Sequence, residues 1–283
     1  MFDSILLSSQ FKWNIPLFVT VICISVLYFI LITRESDNKK CKKALLFLLG
    51  LSIFTIMLGS PLFTISHLSI SLHMFQQSIL YFIVPPLVLK GMPRFTIHQN
   101  VTIPKIKWFN QIIFHPYFSV SVFAFLMLIY HIPIVLSFSS QHSLFHHASI
   151  AILFLFAMGM WRPIAKQHQK KHCIKRYAHW NGILLLPACI LMMLYACLDG
   201  INNPFLSKFT AHLCLPPQSN SFDILPSPFN TKFDQFIAGF VMFSVHKFSL
   251  IVTVRLGSNE SHFLGKAARS QTDHGLALEF EKS

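Results

Sequence analysis

Charge is what this sequence has least of. Only 12% of its 283 residues are Asp, Glu, Lys or Arg, about half the ~25% found in soluble domains. Acidic residues are scarcer still, 10 against 23 basic ones. Residues 1–14 hold only Asp3 and Lys12 as charges, so the apolar run at 15–32 lacks the basic segment of a cleaved leader and is too long for a leader core. It reads as a retained span. The six cysteines (Cys23, Cys41, Cys173, Cys189, Cys197 and Cys214) form no C-x-x-C pair. A thiolate metal-shuttle motif is therefore missing, and most of the cysteines fall in spans or cytoplasmic loops, which disfavours a disulfide framework. H-E-x-x-H, G-x-S-x-G and Walker sequences are absent, so no motif calls for a zinc protease, a serine hydrolase or a P-loop. The chain is not expected to be an enzyme. The short alternating segments of a β-barrel are missing too.

Apolar residues dominate instead, at 53% of the chain with a mean hydropathy of +0.56. They fall in runs long enough to cross a ~30 Å hydrocarbon core as helices. Seven spans are expected, near 15–33, 44–65, 68–89, 117–138, 144–162, 179–199 and 233–254. The fold class is an all-α integral membrane protein, a single polytopic domain over residues 1–283 with a tail at 255–283. Pro61, Pro85–Pro86, Pro133 and Pro187 lie inside or at the ends of spans, where membrane helices tolerate them.

The basic residues orient this bundle. Nineteen of the 23 gather in segments 34–43, 90–107, 162–176 and the tail. Cytoplasmic loops carry the Lys/Arg excess, which puts the N-terminus outside, the C-terminus and the 255–283 tail in the cytoplasm, and the 200–232 loop outside. The same distribution explains the net charge of +13: basic segments beside the inner surface are attracted by anionic membrane lipid. A nucleic-acid partner would want a soluble basic domain with stacking aromatics, and none is present.

With that orientation, polar groups from several spans reach one depth on the outer side. His67, His73, Met74, Gln76 and Gln77 lie in the outer part of the third span. Tyr130 and His131 close the fourth, and His142, His146 and His147 open the fifth. Asp199 closes the sixth, and Asp234 and Gln235 open the seventh. Ionisable groups near hydrocarbon are costly and mark function by default. His73, His131, His146 and His147 are the candidate metal ligands. Gln76, Gln77, Asp234, Gln235 and Met74 are supporting polar or soft groups, with Asp234 expected to accept from an imidazole N–H. His142 and His146 are four apart and are expected to share a helical face. His67, His142 and His212 are expected to be interfacial, Met192 and Met193 to be packing, and His246–Lys247 to be either a buried polar pair or a snorkelling end. Imidazoles with a methionine or carboxylate suit copper, zinc or haem iron and not magnesium or calcium.

These residues also carry a resemblance. His73-Met74-Phe75-Gln76-Gln77, then Val84-Pro85-Pro86-Leu87 and Gly91-Met92-Pro93, resemble the H-M-x-Q-H … P-P-L … G-x-P signature of the multi-spanning CtaG family. Tyr130-His131-Ile132-Pro133 is similar to its W-H-x-P. His146-His147 with Trp161-Arg162-Pro163, and Asp234-Gln235 with Gly239 and Met242, follow in the family's order. The match runs from about residue 60 to 255. Gln77 stands where the family usually has histidine and Tyr130 where it has tryptophan, and glutamine is a poor ligand for a soft metal. The resemblance implies a bacterial plasma-membrane assembly factor for caa-type cytochrome c oxidase, with oxidase subunits as partners and copper as the metal handled. The competing readings are a haem-binding membrane electron carrier and a metal transporter.

Overall fold

The computed structural model describes residues 13–34, 40–93, 115–166, 171–198 and 232–255. The elements are helical throughout. Helix α1 is Ile15–Thr33, α2 is Lys40–Gly59 and α3 is the short Leu62–Ser66. Next come α4 (Ile70–Ser78), a π-helical segment (Ile79–Ile83) and α5 (Val84–Gly91), which run on as one span. Helices α6 (Pro116–Tyr130), α7 (Pro133–Gln141), α8 (Ser143–Lys166), α9 (Lys171–Leu184), α10 (Leu186–Leu198) and α11 (Lys232–Arg255) complete the set. Among the described residues six helices are long and apolar enough to cross a membrane, or seven if the bent pair α6–α7 is one span.

The span Ile70–Gly91 is the axis of the bundle. Its most apolar stretch is 72% buried, against 11% for Ile15–Thr33 at the periphery. It packs most extensively against α2 and α8, and α8 in turn against α6. At Gly91 the fit leaves no room for a side chain: a Cβ there would stand 2.5 Å from the Phe47 amide nitrogen and 2.7 Å from the Lys43 carbonyl oxygen. Helix α1 docks at the same point, where the Tyr28 ring stacks on Phe47 at 3.9 Å and its hydroxyl donates to the Gly91 carbonyl at 2.9 Å.

Pro85 and Pro86 explain the π-helical segment. A π-turn inside an α-helix is uncommon and needs a local cause. The Tyr81 carbonyl would find its α-helical donor at residue 85 and its π-helical donor at residue 86, but both are proline and carry no N–H. The Trp161 indole on α8 fills the gap, donating from Nε1 to the Tyr81 carbonyl at 2.9 Å. Phe82, whose α-helical donor would be Pro86, receives the Ser249 hydroxyl of α11. Two side chains from neighbouring helices thus satisfy backbone groups that hydrocarbon cannot.

Three span boundaries differ from expectation. The second apolar run does not continue through 65: α2 ends at Gly59, and Pro61 heads the separate helix α3. The fourth run is broken, with α6 ending at Tyr130 and α7 leaving at 80°. Pro133 is the reason. The residue before a proline is pushed out of the helical region, and Ile132 adopts φ −67°, ψ 131°. The sixth span begins earlier than 179, because Lys171 onward already forms α9. Hydropathy marks where a helix becomes apolar; good helix formers such as Lys and Arg extend it further. The 200–232 loop, with His212 and Cys214, lies outside the described residues, as do Asp199 and the 256–283 segment of the tail.

Candidate functional site

The polar site is assembled at the first turn of the central helix. Ser69 occupies its N-cap position in extended backbone, but its own hydroxyl does not cap the helix. Asp234 reaches across from α11 and caps it instead. Its carboxylate accepts from the Ser69 hydroxyl at 2.8 and 2.9 Å, from the Ile70 amide at 3.1 Å, and from the Ser71 hydroxyl. Asp234 thereby fixes the N-terminus of the helix that carries His73 and Met74. A carboxylate at this end also complements the helix dipole. Gln235 beside it is buried.

One turn further along, His73 accepts at Nε2 from the Gln77 amide at 3.0 Å, which leaves the ring proton on Nδ1. The Tyr130 hydroxyl lies 3.5 Å from that same Nε2 and 3.3 Å from His146 Nδ1, so the end of α6 bridges the central helix and α8. Ser139 of α7 approaches His146 Nδ1 at 3.1 Å. The bend at Pro133 folds α7 back to deliver it. His67, which caps the C-terminus of the separate helix α3, completes a triangle of imidazoles: its ring centre is 5.3 Å from that of His73 and 5.4 Å from that of His146, while His73 and His146 are 6.2 Å apart. His73 and His146 are buried and His67 half-buried. The sequence pointed to an interfacial His67. Its inward position follows from the α3 break at Pro61, which nothing in its local pattern reveals.

His131 forms a second grouping. It ends α6, and its Nδ1–H donates to the Met127 carbonyl at 2.5 Å. Its Nε2 therefore carries a lone pair, and this faces the Met74 sulfur at 3.0 Å. Both side chains are fully buried.

Two histidines turn away. His147 is exposed; its Nδ1 donates to the Ser143 carbonyl at 2.7 Å, and the ring lines an apolar cleft of about 390 Å³ with Phe54, Phe63 and Phe154. Successive helix residues point about 100° apart, so His146 facing inward sends its neighbour out. His142 does not share the face of His146, because it precedes α8 and stacks, exposed, on Phe138 at 4.2 Å. Gln76 serves architecture: it donates to the Met57 carbonyl and accepts from the Ser66 hydroxyl, each at 2.5 Å, tying α2, α3 and α4 together. Deeper along the bundle, His246 is buried beside Asn181 at 3.2 Å, while Lys247 is half-buried with its Nζ 5.4 Å from the centre of the Phe243 ring. The hydroxyls of Ser78 and Tyr81 and the Gln77 carbonyl oxygen are buried with no hydrogen-bond partner among the described residues.

Among the described residues no group of three or more His, Cys, Asp or Glu side chains is placed so that it could hold a metal ion. The donors in direct contact are a neutral imidazole nitrogen and a thioether sulfur, a set that fits a soft or borderline ion such as copper(I) or zinc and fits magnesium poorly. Fold and site together define a multi-pass membrane protein with a buried, histidine-rich polar site at one end of its helix bundle. Residues 26–256 match the family of cytochrome c oxidase caa3 assembly factors (Caa3_CtaG), and the chain belongs to that family. No curated protein and no solved structure matches it.

Proposed function

We propose that this chain works at the outer face of a bacterial plasma membrane, where it holds copper for the maturation of a caa-type cytochrome c oxidase. The observation that carries this reading is the contact between His131 and Met74. With the imidazole proton committed to the Met127 carbonyl, two lone-pair donors face each other at 3.0 Å in a fully buried setting. Such a pair is at ease when it shares a cation, and nitrogen with thioether sulfur favours a soft one. His67, His73 and His146 supply further imidazoles at the same end. The outward orientation rests on the basic residues, which crowd the opposite ends of the helices as the cytoplasmic side requires. Membership of an oxidase assembly family supplies the recipient.

The test has two arms. Purified chain, titrated with copper(I) against a chromophoric chelator, should bind one equivalent tightly, and His131→Ala or Met74→Leu should weaken it. In cells, a His73/His131 double alanine variant should insert normally, because insertion depends on the apolar runs. The host's caa-type oxidase should then lose activity while its subunits are still made, and extra copper should restore part of it by mass action. Full oxidase activity in the double variant would leave scaffolding as the better account. A Soret band in the purified chain would turn the reading to haem.

A further inference from the structure

Asp234 is the only carboxylate among the described residues, and it is 1% exposed. A charge buried in a membrane protein is costly and is kept where it serves a function. Its cost is offset here by the Ser69 and Ser71 hydroxyls, the Ile70 amide and the positive end of the central helix. From Ile70 to Met74 is a single turn, about 6 Å of rise, so the negative charge sits just above the histidine–methionine donors. The groups that face the site (His67, His73, His131, His146, Met74, Gln77 and Tyr130) can all act as neutral donors. Of the nearby cations on the same helix, Lys232 is exposed and screened by solvent, and Lys247 lies about 20 Å further along α11.

Neutral donors orient a cation but do not cancel its charge. We propose that Asp234 is the counter-charge of the copper site, acting through space rather than as a ligand. The inference rests on the copper reading above. One carboxylate neutralises one positive charge. Its attraction for a bound ion grows linearly with the ion's charge, so losing it costs a divalent ion twice the Coulomb energy that it costs a monovalent one.

That scaling separates a counter-charge from a structural cap. Copper(I) and zinc(II) affinities of the full-length chain in detergent should be compared for wild type, Asp234→Asn and Ser71→Ala. Removing the charge should weaken copper(I) about tenfold and zinc(II) about a hundredfold, because the lost Coulomb energy doubles with the ion's charge. Ser71→Ala keeps the charge and should move both affinities by no more than about twofold. Gln235→Glu adds a carboxylate next door and should tighten both ions in the same ratio, which covers the case where Asp234→Asn fails to insert. Equal losses for the two ions, or no loss, would overturn the counter-charge while leaving the copper reading intact. A wild-type chain that does not bind copper(I) would overturn both.

Discussion

Replacing Trp161 by phenylalanine should expose how the central helix survives two consecutive prolines. The Trp161 indole donates to the Tyr81 carbonyl at 2.9 Å, and that carbonyl has no backbone donor because residues 85 and 86 are both proline. Phenylalanine keeps the aromatic bulk and deletes the donor. A buried carbonyl left unpaired costs about 1–3 kcal/mol, and shrinking a side chain that is fully buried adds a cavity term of about 1 kcal/mol. The expected loss is therefore about 2–4 kcal/mol. The cavity term and the hydrogen bond separate in a double-mutant cycle with Pro85→Ala. Alanine at 85 restores an N–H that can serve Tyr81 itself, so Trp161→Phe should then cost about 1–2 kcal/mol less than in the parent. Unfolding in detergent, followed by far-UV circular dichroism, measures all four corners. An identical cost of Trp161→Phe in both backgrounds would refute the idea that the indole substitutes for the missing backbone donors.

Gly91→Ala should be the most damaging small change, costing about 3 kcal/mol or more, since its Cβ would meet the Phe47 backbone nitrogen at 2.5 Å; poor membrane accumulation would report it. Gln76→Leu should destabilise by about 1–3 kcal/mol, through the Met57 carbonyl it strands, while copper(I) affinity per folded molecule stays unchanged. His147→Ala should leave copper(I) affinity within about twofold, as expected of an exposed position, whereas His146→Ala should lower it; equal effects in the same titration would contradict the inward placement of His146. Tyr28→Phe should loosen α1 by about 1 kcal/mol, by loss of its bond to the Gly91 carbonyl, and faster proteolysis near residue 34 would register it.

The helices themselves are legible in the sequence, because burying twenty apolar residues in hydrocarbon demands little beyond length and composition. The order of the histidine, proline and Asp234-Gln235 motifs likewise pointed to the family. What the sequence leaves open is direction around each helix axis and the effect of breaks between helices. His146 and His147 are chemically equal neighbours, and only the packing of α8 decides that the first faces His73 and the second the cleft beside Phe63. His67 joins the cluster because Pro61 starts a new helix, and Ser139 reaches His146 because Pro133 bends α7 by 80°. Met74 becomes more than packing only when the end of α6 brings His131 against it. Asp234 and Trp161 show the same dependence, since each answers a backbone demand of the central helix from a different part of the chain. Composition and period set what each segment is. Contacts across 80 to 165 residues of sequence, such as Trp161 to Tyr81 and Asp234 to Ser69, exist only once the bundle has formed.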